Sequence, residues 1–382
     1  MTVSHWQQIE QTHRDVDFLV VGAGLAGSSA AYFAQQVHNR EVVVTDARDV
    51  ALGASSRNAG FMISGIADYY HQAIEMYGRD KANELWKLSH TTINHWKTFI
   101  KNSPFDVPLD NCGSMLLAES EEEAKEVERA AKALEADNIE IEYYSNDPLG
   151  RGYYAGIYQP MDAGTQPYLL AKSVLQQSGA EVITNNELYR IEQTTDDYVT
   201  VHTQKIIFRA KYVMLCTNAY SPMIDPYFVS KVIPTRAQCL VTEPLDEKPI
   251  DYCGYSDYGY MYYRTTFDGR LLIGGGRNQF TEEEHDTTED RLNHNIQAYL
   301  DSYLAKYFPD VSASVAHRWS GIMGFSVDGL PLVGKLPNMS RVGFAVGFTG
   351  HGLAMSAGTT ERAVDMLLNG ASVGALDAAR LA

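Results

Sequence analysis

Val16-Asp-Phe-Leu-Val-Val21 runs directly into Gly22-Ala-Gly24-Leu-Ala-Gly27, and helix-favouring residues continue to Gln36. The first stretch is an apolar, β-branched run of the kind that forms a buried strand. Glu41 to Thr45 is a second short β-branched run. Strand, glycine turn, helix and strand in this order open a doubly wound α/β sheet of parallel strands. The first glycine permits the tight turn, the second lets a pyrophosphate approach the backbone, and the third lets helix and strand pack closely. The helix N-terminus adds amide donors and a positive dipole end. Asp46 ends the second strand, about 20 residues beyond the turn, where a carboxylate accepts from ribose hydroxyls. The residues expected to hold a dinucleotide here are Gly22, Ala23, Gly24, Leu25, Ala26, Gly27, Asp46, Ala47 and Arg48. This turn alone does not separate NAD from FAD.

The chain has 382 residues, enough for two or three domains and a sizeable core. Apolar residues make up 45% and charged residues 21%, which excludes disordered and fibrous classes. The net charge of −17 repels phosphate backbones and anionic lipids, so nucleic-acid and membrane-surface binding are not expected. Cys112, Cys216, Cys239 and Cys253 show no CxxC pair or metal-ligand spacing, which predicts free thiols in a reducing compartment. The absence of a redox cysteine pair also removes a disulfide-reductase reading. No metal site is expected, because the histidines form no HExxH or HxxxH pair. The first fifteen residues lack an apolar core, and Phe18 to Phe33 is too short to span a bilayer. A soluble, cytoplasmic protein is the expectation.

Ser120-Glu-Glu-Glu123 reads as a capping box for a helix reaching about Ala136, with a narrow apolar stripe of Ala124, Val127, Ala131 and Leu134. That composition predicts a solvated surface helix. Tyr168 to Gln177 reads as a helix, with strands near 180–184, 198–203 and 212–216. Met261 to Arg264 and Arg270 to Gly274 alternate like a hairpin joined through Phe267-Asp-Gly269. Thr288 to Phe308 has the pattern of one long amphipathic helix. The end repeats the opening grammar: strand Val342 to Val346, a glycine-rich turn, then helix Leu353 to Leu368. Nucleotide-type turns at opposite ends predict a discontinuous, Rossmann-like cofactor domain over 1–90, 150–225 and 318–382. A second, mixed α+β substrate domain takes 91–149 and 226–317.

Beyond Asp46 the chain reads Gly53-Ala-Ser-Ser-Arg-Asn-Ala-Gly60. This stretch resembles the GAS-x-RN-x-G signature of the D-amino-acid oxidase/glycine oxidase superfamily of FAD-dependent amine oxidoreductases. The resemblance places Ser55, Ser56, Arg57, Asn58, Ala59 and Gly60, with Met62 just past them, beside the flavin and its ribityl chain. Gly179-Ala-Glu-Val182 is similar to the family's strand whose valine backbone meets the adenine, which implicates Val182. Cys216-Thr-Asn-Ala-Tyr220 is similar to the segment near the pyrophosphate, which implicates Thr217, Asn218 and Ala219. Gly347-Phe-Thr-Gly-His-Gly352 is similar to the C-terminal turn, so Gly350, His351, Gly352, Leu353 and Ala354 are expected at the flavin pyrimidine. A helix N-terminus there stabilises the negative charge of a reduced flavin. His351 reads either as a polar group at the flavin edge or as a helix cap.

Tyr262-Tyr-Arg264, Asp268-Gly-Arg-Leu-Leu-Ile-Gly-Gly-Gly276 and the run from Trp319 to Pro331 resemble the gamma-glutamylputrescine oxidoreductase-like branch. That branch implies Trp319 and Gly321 near the flavin and the Tyr262 strand over it. Three departures shape the expectation. The last cysteine is Cys253 and Ser55-Ser56 stand where some relatives tether through histidine, so FAD is expected to be non-covalent. Glycine oxidase-like members carry a carboxylate-binding arginine where this chain has Ile322-Met323-Gly324, which favours an amine or a larger N-substituted compound over a simple α-amino acid. Leu272 stands where the sarcosine branch has an oxygen-assisting lysine, leaving the acceptor open between oxygen and a quinone or carrier protein.

The expected reaction is hydride transfer from the carbon beside a neutral amine nitrogen to flavin N5, with hydrolysis of the imine. It needs no protein nucleophile. Arg57 and His351 are the candidate flavin-edge residues and Tyr262 the candidate pocket wall. The tyrosines at 252, 255, 258, 260, 262 and 263 either line an amine pocket or pack a half-buried sheet. Arg264 and Arg270 are expected to pair with surface acids. The competing readings are a D-amino-acid or glycine-type dehydrogenase feeding a quinone or carrier, a non-catalytic flavin-binding subunit, and an NAD-dependent dehydrogenase using the first turn alone.

Overall fold

The apolar run that opens the chain lies inside an eight-stranded sheet of the computed structural model, which describes residues 3–193 and 197–381. Strand Thr12–Val21 pairs in parallel with Ile206–Leu215 on one side and with Val42–Thr45 on the other, and Val42–Thr45 pairs in parallel with Glu181–Ile183. Both faces of this sheet are covered. Phe18 and Val20 pack among helices, while Leu19 and Val21 pack with Val213, Leu215 and Phe344 on the opposite side. That double burial is why the run reads as continuously apolar. Strand Ile206–Leu215 divides its far edge. Its first half pairs antiparallel with Val199–Thr203, and its last residues, Val213 to Leu215, pair in parallel with Val342 to Phe344 of strand Met339–Val346. The glycine turns that follow Val21 and Val346 therefore leave the sheet at the same end, the usual crevice for a ligand.

The second sheet also has eight strands, in the order Val315–Ser326, Val232–Thr242, Leu271–Gly275, Met261–Thr265, Cys253–Ser256, Ser114–Leu117, Gly156–Gln159 and Glu142–Tyr144. The expected hairpin is its centre, with Met261 opposite Gly275 and Thr265 opposite Leu271. Within 150–225, strand Gly156–Gln159 joins this second sheet and Glu181–Ile183 joins the first. A three-stranded sheet of Phe61–Met62, Ala163–Thr165 and Leu109–Asp110 completes the strand set among the described residues. Helix Arg79–Lys101 packs against helix Gly352–Asn369, the last α-helix among the described residues, and Trp96 Nε1 donates to Leu353 O at 2.6 Å. Among the described residues no helix is long and apolar enough to cross a membrane.

Two expected elements differ. The helix anticipated from Thr288 runs instead from His294 to Tyr307. Asn293 ends the preceding segment: its side chain accepts from Asn295 N, and its own N–H donates 3.0 Å to Gln238 Oε1. That tie to strand Val232–Thr242 overrides the helical pattern and leaves Leu292 exposed. Helix Glu121–Ala136 forms with Ser120 Oγ accepting from Glu123 N at 3.1 Å. The reciprocal half of the capping box is missing, because the Glu123 carboxylate turns into the protein.

Candidate active site

A cavity of about 840 Å³ lies where the two large sheets meet, at the upper end of the range usual for cofactor sites. Its first wall is backbone. Gly22 has φ +107°, and a Cβ there would sit 2.7 Å from Cys216 O. A Cβ on Gly27 would overlap Gly22 O, so this glycine serves helix–strand contact, and a Cβ on Gly24 would stand 2.6 Å from Ser55 Oγ. Ser55 Oγ accepts from Leu25 N at 2.9 Å. Asp46 holds the turn from the other side: Oδ2 accepts from Ala23 N at 2.7 Å and Oδ1 from Arg48 N at 2.8 Å. Each oxygen retains a lone pair, and Asp46 still lines the cavity.

The opposite wall is set by two asparagines. Asn58 Oδ1 accepts from Gly60 N at 2.9 Å, closing the loop that carries Arg57. Asn218, in a left-handed conformation with φ +42°, accepts from Gly347 N at 3.0 Å and so fixes the last glycine turn. From that turn the helix Gly352–Asn369 starts at His351 with no side-chain cap and no acidic residue in its first turn. Helix Leu25–Tyr32 likewise starts at Gly24 without a cap from that residue and without an acid. The two helices pack on each other, and both N-termini line the one cavity. Paired positive helix ends, neither with an acidic residue in its own first turn, form a site for an anionic ligand.

Most residues expected at the cofactor line this cavity, and a few stand behind its wall. Met62 alternates away between Phe61 and Ile63, which do line it, and is fully buried in the core. Val182 packs toward the helical core, and the cavity wall at that edge is Asn186, Glu187 and Leu188. Trp319 Nε1 donates to Arg57 O at 3.0 Å and its ring stacks on His317, while Gly321 faces the cavity. Ala23, Gly27, Ser56 and Gly60 act through backbone: Ala23 donates to Asp46, Ser56 N to Gly53 O, and a Cβ on Gly60 would overlap Thr165 O.

The three candidate catalytic residues all line the cavity. Arg57 Nη1 donates to Ser320 O at 2.7 Å and is ion-paired to Asp290 at 2.7 Å, so its charge is largely matched. His351 Nδ1 lies 3.2 Å from Thr349 O, and burial lowers its pKa, which favours the neutral ring. Burial also pushes the Tyr262 phenol well up; its hydroxyl lies 3.6 Å from Cys239 Sγ. The tyrosine cluster divides. Tyr255, Tyr258, Tyr260 and Tyr262 line the cavity, whereas Tyr263 is fully buried beside Tyr153 and Phe308. Arg270 pairs with Asp268 at 2.7 Å as expected. Arg264 does not pair with a surface acid: it is buried and donates to backbone oxygens of Gly60, Thr165 and Thr265.

Several residues had no sequence signal for a place at the cavity. Glu123 Oε1 accepts from Tyr69 Oη at 2.8 Å and from Tyr258 N at 2.6 Å, bracing two aromatic residues of the cavity. Its helix, expected as a solvated face, supplies Ala130 and Leu134 to the wall. Ser64 also lines the cavity and donates to Asp162 Oδ1 at 2.5 Å, with His90 Nε2 at 3.0 Å. Here serine lies between histidine and acid, whereas an activated nucleophile needs the histidine between them, so this is a structural chain. Arg277 lines the cavity between two rings and is treated below.

A family model described as DAO, FAD dependent oxidoreductase, matches residues 17–366. The chain belongs to the DAO family of FAD-dependent oxidoreductases. The DAO-family chain is 26% identical over 359 residues to gamma-glutamylputrescine oxidoreductase of Escherichia coli K12, covering 88% of this chain and 80% of that protein. Its fold matches L-proline dehydrogenase from P. horikoshii with TM-score 0.80 at 19% identity, covering 96% and 98% of the two chains. Glycine oxidase from Geobacillus kaustophilus matches with TM-score 0.79 at 20% identity, covering 97% and 98%. The cavity fits FAD: two positive helix ends, a glycine cradle closed by Ser55, and in Asp46 a cavity-lining carboxylate with a lone pair to spare on each oxygen.

Proposed function

We propose that this protein oxidises the C–N bond of a primary or secondary amine, a gamma-glutamyl amine-like or N-substituted amino compound, to an imine that water hydrolyses. The observation that carries this reading is the continuity of the cavity. The backbone cradle for FAD opens into a chamber walled by Tyr255, Tyr258, Tyr260 and Tyr262. The similarity to an E. coli oxidoreductase named for gamma-glutamylputrescine supports the substrate class.

FAD, when bound, supplies the hydride acceptor at N5. The chain's own residues desolvate and orient the amine. An apolar, aromatic chamber penalises the ammonium form and so favours the neutral amine that can give up hydride. Neutral His351 adds no competing positive charge beside that amine. The Arg57–Asp290 pair fixes the loop that meets the flavin while holding its charge nearly neutral. Ser55 and Ser56 occupy the loop without a tethering nucleophile, which supports non-covalent FAD. The segments 1–90, 150–225 and 318–382 are the proposed cofactor unit, with strands Gly156–Gln159 and Val315–Ser326 reaching from it into the second sheet, and the four free thiols support a reducing, cytoplasmic location.

The deciding experiment mixes the flavin-loaded protein anaerobically with gamma-glutamyl amines, sarcosine, glycine, polyamines and D-amino acids while following the oxidised-flavin absorbance. Bleaching by one class names the substrate, and readmitting air separates oxygen from a carrier as the acceptor. A bound flavin that resists every amine overturns the proposal.

A further inference from the structure

Three arginines line the cavity: Arg48, Arg57 and Arg277. Arg57 is matched by Asp290. Arg48 stands at the dinucleotide end beside Asp46, its guanidinium over the Tyr220 ring. Arg277 is at the chamber end, and its side chain makes no hydrogen bond or ion pair with a described residue. Its guanidinium lies 4.6 Å from the Tyr260 ring centre and 5.0 Å from that of Phe325. Rings over the faces of a guanidinium leave its N–H edge for an acceptor, and that edge matches a carboxylate bidentately.

The backbone aims this side chain. Gly276 ends strand Leu271–Gly275 in a left-handed conformation, φ +74°, where a Cβ would meet the Tyr299 ring at 2.6 Å. Arg277 is the next residue, and its charge is felt at Tyr262 and His351, both on the cavity wall. Asp68 is the acid that lines the cavity away from the dinucleotide end; burial raises its pKa, and it forms no ion pair with Arg277. Arg277 is half-buried, and a guanidinium partly withdrawn from water without a matching anion costs stability unless a ligand brings one.

We infer that Arg277 binds a carboxylate on the substrate, so that the amine oxidised here is one that also carries an acidic group. This rests on the amine-oxidising reading and narrows it. Ile322 and Met323 line the same cavity but cannot hold an anion. Their strand, Val315–Ser326, is separated from Leu271–Gly275 only by Val232–Thr242. The cation is therefore delivered two strands away from the position where the sequence lacks it.

The test titrates the FAD-loaded protein with phenylacetate and with phenylacetamide, which share a shape and differ in charge, and reads the perturbation of the flavin absorption band. Phenylacetate is expected to bind and the amide to bind far more weakly. Arg277→Gln should weaken phenylacetate by about 10- to 100-fold and leave the amide unchanged, with partial recovery in Arg277→Lys. Equal binding of acid and amide, no binding of the acid, or an acid affinity indifferent to Arg277→Gln each overturns the inference. A shift of flavin potential in Arg277→Gln with unchanged phenylacetate binding also overturns it, because the charge would then act on the flavin. Should that variant lose its flavin, the acid–amide comparison on the unmodified protein decides. The two proposals fail separately. Bleaching by amines without an acid group, and by none with one, sinks the arginine's role alone. Arg277-dependent phenylacetate binding with no amine bleaching sinks the oxidation and leaves the anion site.

Discussion

The two ends of the cavity are built from different materials. The dinucleotide end is main chain: glycines at 22, 24 and 27, two helix starts whose own N-cap residues supply no side-chain cap, and side chains such as Ser55, Asp46 and Asn218 turned to hold backbone groups. The chamber end is side chain: Tyr258 and Tyr260 come from one turn of the second sheet, Tyr262 from the strand that follows it, and Arg277 from just beyond the next strand. Main chain cannot change shape without refolding, so the first end is rigid toward substitution. The second can be rewritten residue by residue while the sheet stands, which suits a family that keeps its cofactor and varies its substrate.

The sharpest way to break that contrast is Gly27→Ala. The new methyl overlaps Gly22 O, and relief requires the helix to move off the strand. We expect a stability loss of about 3 kcal/mol or more and purified protein without flavin, read from the flavin-to-protein absorbance ratio. A normally loaded variant would show that the cradle is not rigid. The next effect lies between the ends. Burial pushes Asp162 up to about 6 from an ordinary value of 3.8, although Ser64 and Ser114 donate to it. The folded chain thus holds a proton that the unfolded chain has released. Asp162's contribution to stability is fully present below the ordinary carboxylate range and is lost as pH rises through about 6, by about 3 kcal/mol in all. Asp162→Asn should flatten that part of a urea-denaturation profile; an unchanged slope would place the titration elsewhere.

Asn218→Ala removes the acceptor for Gly347 N and should weaken FAD by about tenfold, roughly 1–2 kcal/mol, in a flavin-fluorescence titration. Wild-type affinity would mean the last turn holds itself. The smallest effect is expected at the chamber end. Tyr262→Phe removes a hydroxyl that meets only a thiol at 3.6 Å, so FAD content should not change and the substrate Kd should move by less than about fivefold. A loss of flavin in this variant would erase the distinction between the two ends.

The same contrast explains what was legible in the sequence. The glycine turns, Asp46, Asn58 and the run around His351 act through local spacing, and spacing is written in the chain. The adenine-side wall shows the limit: Val182 sits on a strand pattern, but which residues face the cavity depends on packing, and Leu188 does so. Ser120 and Glu123 carry a capping box, yet Tyr69 and Tyr258 claim the Glu123 carboxylate from elsewhere in the chain. The helix starts at His294 because Asn293 is tied to Gln238. Cys112 and Cys253 are free thiols as expected, but no spacing announced that their sulfurs stand 3.9 Å apart. Arg277 follows the glycine run of the hairpin, and only the fold brings Phe325 to its face.

Strand Ile206–Leu215 shares its far edge between Val199–Thr203 and the late strand Met339–Val346. During synthesis the turn at Gly22 emerges about 330 residues before the helix at Gly352. Until the late strand docks, Val213 to Leu215 present an unpaired edge, and one of the two positive helix ends is absent from the crevice. Flavin capture is thereby coupled to docking of the late strand. An intermediate in which that strand is still undocked offers FAD half a cradle, and the cofactor's mass-action stabilisation accrues to molecules with both turns in place.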